Sequence, residues 1–121
     1  MTYISGFVAA VPAGNKAEYV EHAKKSWPIF KKYGALRMVE TWGDEVPDGK
    51  VTSFPMAVKL TDGETVVFSW IEWPDKAASD ACMSSMQTDP EWEALGDMPF
   101  DGKRMIFGGF EALLDCSAGE A

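Results

Sequence analysis

Between Tyr3 and Pro12 the chain alternates Tyr3, Ser5, Phe7, Ala9 and Val11 against Ile4, Gly6, Val8 and Ala10. A period of two, apolar on both sides and closed by a proline, predicts a strand covered on both faces. Ala13, Gly14 and Asn15 supply a turn, with Asn15 in position to cap a helix. From Lys16 the period lengthens, and Tyr19, Val20, Ala23, Trp27 and Phe30 fall on one helical stripe. Pro28 removes an amide from the hydrogen-bond ladder, so the spacing predicts a kink or restart there, and Gly34 ends the helix. Leu36 to Trp42 alternates again, with Leu36, Met38, Glu40 and Trp42 facing one way and Arg37, Val39 and Thr41 the other.

A polar loop with a Pro-Asp-Gly turn spans 43–50. Phe54 to Leu60 fits two readings, a short strand or one helical turn. Asp62-Gly63 is a turn, and Thr65 to Trp73 is the most β-like run of the chain. Pro74-Asp75 opens a second helix to about Met86, which carries Ala78, Ala81, Cys82 and Met86 inward. A one-turn helix follows, with Asp89 as its cap, Pro90 at its first position and Gly96 at its end. Arg104 to Leu114 is the last strand, where Gly108-Gly109 marks a bulge or a close approach. The small, polar tail over 116–121 is expected to fray.

That order is the split βαβ pattern, which predicts an α+β fold of the ferredoxin-like kind with a four-stranded antiparallel sheet. A length of 121 residues suits one domain over 1–121. Two helices cover only one face of such a sheet, yet the third strand sets Val66, Phe68 and Trp70 on one side and Val67 and Ile71 on the other. Leaving four such side chains wet forgoes roughly 6–12 kcal/mol, at about 1.5–3 kcal/mol each. A second copy of the sheet is the simplest cover, so the pattern predicts a homodimer through that face, a dimeric α/β barrel.

Composition changes this picture in two ways. The chain is acidic, with a net charge of −8, and the acidity is concentrated: residues 1–60 hold 8 basic and 6 acidic side chains, residues 61–121 hold 3 and 13. An acidic field opposes nucleic acid, so no nucleic-acid partner is expected. No apolar run approaches the roughly 20 residues needed to span a bilayer, so no membrane partner is expected either. The N-terminus lacks a basic leader and alternates like a strand, so it reads as structure and not as a signal. Cys82 and Cys116 have neither metal-like spacing nor a disulfide framework, and a reducing cytoplasm is the expected location.

Four stretches carry a resemblance: Val39-Glu40-Thr41-Trp42-Gly43-Asp44; Asp48-Gly49-Lys50-Val51-Thr52-Ser53-Phe54-Pro55-Met56-Ala57; Val66-Val67-Phe68-Ser69-Trp70-Ile71-Glu72-Trp73-Pro74; and Met98-Pro99-Phe100-Asp101-Gly102-Lys103-Arg104-Met105. Over nearly its whole length the chain resembles the bacterial domain-of-unknown-function family 1428, the YbaA-like proteins. The resemblance implies a dimeric α/β barrel of ferredoxin-like halves and implies no activity. The wider barrel superfamily includes cofactor-independent monooxygenases, haem-degrading enzymes and isomerases, but a shared fold does not license a shared function. One oxygenase pattern there joins an Asn, a Trp and a His. This chain has a single Asn, Asn15, at a helix start and a single His, His22, on the first helix, which departs from that pattern.

Candidate chemistry is sparse. His22 borders the buried stripe of the first helix, where a boundary histidine competes with a general base or haem ligand. As the only His it cannot build a multi-histidine centre, and no metal or cofactor is expected. Glu40 runs in phase with Met38 and Trp42, and Glu72 with Phe68 and Trp70. A carboxylate on an apolar face needs a partner or a wet cavity. Each therefore pairs with Arg37 or Arg104 or reaches solvent at the strand end, or else serves as an acid, a base or the seat of a cationic ligand. Trp42, Trp70 and Trp73 are either core or the walls of an aromatic pocket. Lys24, Lys25, Lys31 and Lys32 form a solvated basic helix face, supported by Glu21. The ligand-binding candidates are thus His22, Glu40, Trp42, Trp70, Glu72 and Arg104. The expected function is that of a homodimeric domain binding a small, partly apolar molecule near Glu40, Trp42 and Trp70. The alternatives are a cofactor-independent oxygenase or isomerase using His22 or Glu40, and an interaction protein with no ligand site.

Overall fold

In the computed structural model, which describes residues 2–119, strand β1 (Tyr3–Pro12) is the spine of the sheet. It pairs antiparallel with β3 (Glu64–Trp73) along its whole length, from Tyr3 opposite Trp73 to Pro12 opposite Glu64. On its other side lies β4 (Ile106–Glu111), and β2 (Arg37–Glu40) adds to the far edge of β3, giving the order β2-β3-β1-β4. Helix α1 (Lys16–Lys32) crosses between β1 and β2, and α3 (Lys76–Ser85) between β3 and β4. This is the α+β ferredoxin-like arrangement that the element order predicts. The frayed-tail expectation falls partly on residues 120 and 121, which lie outside the described residues.

Both helices pack on one face of the sheet. Tyr19 of α1 meets Ala9, Val11 and Val67, while Cys82 of α3 meets Ile71 and Trp73. The loop over 43–60 folds across one end of the opposite face, placing Val46, Val58 and Leu60 on Ala10 and Val66. The rest of that face stays open: Phe68, Ile106 and Phe110 are exposed.

Several local expectations are corrected. Of the two readings for 54–60, the helical turn is the one found, over its first half as α2 (Phe54–Ala57): Ser53 accepts a hydrogen bond from the Met56 amide, and Pro55 occupies the first turn, where its missing amide costs nothing. Helix α1 does not restart at Pro28, which sits on the exposed side where the carbonyl it leaves unpaired can take water. The buried stripe of α1 is Tyr19, Ser26 and Ile29, with Val20 facing solvent. On α3 the buried set is Ser79, Cys82 and Ser85, not Ala81 and Met86. Serines are buried because tryptophans need acceptors: the Trp73 indole donates to Ser5 Oγ at 3.0 Å, and the Trp92 indole to Ser85 Oγ at 2.9 Å. Asn15 occupies the N-cap position without capping, its side-chain amide donating instead to the Pro99 carbonyl at 3.1 Å. Strands β2 and β4 are shorter than their alternation suggested. The Gly108-Gly109 pair stays in register, so it is a close approach and not a bulge: a Cβ on Gly109 would lie 2.0 Å from the Tyr3 hydroxyl.

The one-turn helix α4 (Pro90–Glu93) is capped by Asp89, as its sequence predicts. Lys32 and the Tyr33 hydroxyl both donate to that carboxylate at 2.6 Å, tying the end of α1 to the start of α4. A second tie holds the approach to β4. Arg104 forms a two-pronged pair with Glu64 at 2.6 and 2.8 Å and also donates to Asp101 at 3.0 Å. The Arg104 guanidinium, helped by the Thr61 amide, holds the Glu64 carboxyl down at about 2. A carboxyl depressed on folding stabilises above its unfolded value and loses that contribution as pH falls through its folded value. Wild type is therefore expected to exceed Arg104→Met in urea resistance by a constant margin above pH 5. The margin should shrink between about pH 4.5 and pH 2, and a pH-independent margin would rule the pairing out as its source.

Candidate functional site

Between the helices and the sheet lies a cavity of about 400 Å³ that opens to solvent. Its floor is the helix-facing side of the sheet, where Ala9, Val67, Ser69 and Ile71 share a face by register. Helix α1 supplies Tyr19, His22 and Ser26 from successive turns of one side. The segment from α4 to β4 forms the roof, with Trp92, Met98 and Phe100. Glu40, the last residue of β2, enters from the sheet edge.

The polar groups converge on Glu40. The Tyr19 hydroxyl donates to Glu40 Oε1 at 2.5 Å, and the Tyr19 ring is held between Trp42 and Phe100, with ring centres 6.2 and 5.9 Å away. Burial is the largest influence on the Glu40 carboxyl and pushes it up, while the Tyr19 and Ser69 hydroxyls pull it back. Glu40 keeps accessible surface through the open cavity, which limits that push. Tyr19 is driven up strongly by burial and then by the Glu40 charge, so it stays protonated and donates. His22 is pushed down by burial and by the nearby Lys25 charge, which favours the neutral imidazole. The site therefore offers an acceptor carboxyl, a neutral imidazole and hydroxyls set in an apolar wall. Such groups can orient the polar end of a small molecule or relay a proton to and from it.

Of the six candidates, the structure brings only His22 and Glu40 together at this cavity. Trp42 lies behind Tyr19 as packing, with the Lys16 ammonium 5.5 Å over its ring. Trp70 and Glu72 are on the other face, which corrects the expectation of one pocket near Glu40, Trp42 and Trp70. Trp70 pairs with Val39, so it shares the face that Glu40 turns away from. The Trp70 indole donates to Glu72 at 3.1 Å, and Arg37 lies 3.6 Å from the same carboxylate, the structural pairing considered for it. Arg104 is engaged with Glu64 and Asp101 and does not line the cavity. Trp73 is core, 1% exposed. Asn15 is occupied at the Pro99 carbonyl and does not line the cavity. Residues that sequence reasoning missed are Tyr19, Ser69 and the roof. Tyr19 stands three before His22 on one helix, and Ser69 interrupts the apolar phase of Val67 and Ile71; both were signals of a polar side to this face. Cys82 is buried and its thiol is pushed up to about 11 by burial, so it is a packing residue. No group of three or more His, Cys, Asp or Glu able to hold a metal occurs among the described residues.

A family model described as "Protein of unknown function (DUF1428)" matches residues 2–102. The chain belongs to that family. It is similar to the "Uncharacterized protein YbaA" of Escherichia coli strain K12, 57% identical over 116 residues, 95% of this chain and 99% of the relative. The same name, identity and coverage describe a relative from Shigella flexneri. Among solved structures, SnoaB, a cofactor-independent oxygenase from Streptomyces nogalater, superposes with a TM-score of 0.56 at 17% identity over 98% of both chains. A NIPSNAP domain protein from Burkholderia xenovorans superposes with a TM-score of 0.57 at 14% identity, over 95% of this chain and 98% of the other. A dimeric ferredoxin-like protein from an uncultured marine organism superposes with a TM-score of 0.52 at 12% identity, over 98% and 100%. At these identities the likeness concerns fold alone, which is ferredoxin-like.

Proposed function

We propose that this protein is a homodimeric binding domain for a small, partly apolar molecule, held in the cavity between α1, the sheet and the roof. The observation that carries the reading is Glu40: a carboxyl hydrogen-bonded by Tyr19 inside a mostly apolar cavity that opens to solvent. A volume of about 400 Å³ suits a compact organic ligand. His22 and Glu40 are the proposed contacts for its polar end, and Tyr19 positions Glu40. A sealed, dry interior would instead have favoured an interaction protein without a ligand.

The homodimer is supported by the open apolar side of the sheet, where Phe68 and Phe110 remain 43% and 60% exposed, and by the dimeric description of one structural neighbour. Two free cysteines support a reducing, cytoplasmic location, and no described helix is long and apolar enough to cross a membrane. A second reading rests on the neutral imidazole and the burial-raised carboxyl sharing one cavity, a pairing suited to acid–base chemistry without a cofactor. SnoaB, a cofactor-independent oxygenase on this fold, makes that reading worth an assay and supplies no residue to it.

The test is native mass spectrometry of protein purified without harsh washing. An additional small mass is expected on wild type, absent from Ala23→Trp, whose larger side chain fills the cavity from α1. Glu40→Gln should reduce its occupancy while leaving stability within about 0.5 kcal/mol, because the amide oxygen still accepts from Tyr19 and no arginine is stranded. Retention of the mass by Ala23→Trp would move the site elsewhere.

A further inference from the structure

The charges around the cavity are unbalanced in a way that points to the ligand. Helix α1 contributes Tyr19 and His22 and β2 contributes Glu40, while the lining residues of β1, β3, Met86 and the roof bring no titratable group. No lysine or arginine lines the wall, and among the described residues Glu40 has no ion pair. Surface carboxylates also lack such pairs, but Glu40 is the one carboxylate among the residues that line the cavity. Glu40 keeps solvent access, but its carboxylate borders a wall that is otherwise mostly apolar. A counter-charge is favoured there, and the protein supplies the Tyr19 and Ser69 hydroxyls and no cation.

We infer that the cavity binds an organic cation, a primary or secondary amine on a compact aromatic or branched apolar body, with its ammonium on Glu40. The inference rests on the binding reading above and names the class of molecule bound. Three further features agree with it. A carboxylate has about four acceptor sites, and the Tyr19 and Ser69 hydroxyls take no more than two, leaving room for ammonium donors. Phe30, Trp92 and Phe100 supply aromatic rings on the same wall, and ring faces attract cations. The net charge of −8 draws cations toward the molecule and repels anions. A neutral alcohol of the same shape would leave Glu40 uncompensated, so charge is the discriminating property.

Isothermal titration calorimetry at pH 7.5 and 0.15 M salt tests this with two probes of one shape, 4-phenylbutylamine and 4-phenylbutan-1-ol. The amine is expected to bind at least tenfold more tightly than the alcohol. Glu40→Gln should erase that preference while keeping alcohol binding, which also shows that the cavity is intact. Asp115→Asn, an equal change of charge on an exposed residue, should keep the preference. Equal affinity of the two probes for wild type would overturn the cation and leave the cavity reading standing. A preference that survives Glu40→Gln would overturn it as attraction to the acidic exterior. Failure of both probes to bind at millimolar concentration would overturn the cavity reading, and the inference with it.

Discussion

Replacing Phe68 by Asp is expected to convert the protein from a particle of twice the chain mass to one of the chain mass in light scattering at micromolar concentration. Phe68 projects from the open face of β3, edge-on to Phe54 and Trp70 at 5.8 and 5.7 Å between ring centres. If a second copy covers this face, the two-fold axis buries the new carboxylate twice. An uncompensated buried charge costs about 3–5 kcal/mol, so the pair weakens association by about 6 kcal/mol or more, over four decades in Kd. The fold itself should survive, because Phe68 is 43% exposed in the single chain. Cavity binding should survive as well, since Glu40 and Tyr19 lie on the other side of the sheet. A folded wild-type monomer would remove the proposed assembly, and an undisturbed Phe68→Asp dimer would place the contact on another surface.

The second large effect belongs to Trp73, at the end of β3 beneath α1 and α3. It is 1% exposed, packs edge-to-face with Phe30 at 6.3 Å, and donates from its indole to Ser5 Oγ, which in turn touches Ser79 Oγ at 3.4 Å. Trp73→Ala should cost about 3–5 kcal/mol through lost burial and the cavity left behind. Against a total of about 5–15 kcal/mol for a domain, that is a severe loss. Trp73→Phe, which keeps most of the volume and loses the indole donor, should fall between. Urea denaturation followed by far-ultraviolet circular dichroism measures both, and a loss under about 1 kcal/mol for the alanine variant would contradict this view of the core.

Other residues mark where reading from the sequence ends. Ser79 and Ser85 of α3 are polar by hydropathy yet buried. Ser85 accepts from the Trp92 indole, and Ser79 meets Ser5, which accepts from the Trp73 indole, so partners at other points in the chain set their environment. Glu40 and Glu72 looked equivalent, each in phase with large apolar neighbours on its strand. Their difference lies in the pairing of β2 with β3, where Val39 stands opposite Trp70 and Arg37 opposite Glu72. That pairing gives Glu72 an arginine on the open face and turns Glu40 inward to Tyr19. Alternation tells which residues of one strand share a face, but not which face of a neighbouring strand they join, because register depends on a partner distant in sequence.

By itself the sequence determined the split βαβ topology and the order of its strands and two long helices, the helix stop at Gly34, and the cap at Asp89. It also showed that the sheet is apolar on both faces. These follow from local conditions: side-chain period, backbone freedom at glycine and amide loss at proline act within a few residues. Only the tertiary structure decided that Tyr19, His22, Ser69 and Glu40 share one cavity, while Trp70, Glu72 and Arg104 stand elsewhere. The reason is that a cavity is made by packing of α1, the sheet and the 92–105 segment, whose mutual placement depends on contacts between residues up to 80 or more positions apart, such as Asn15 with Pro99.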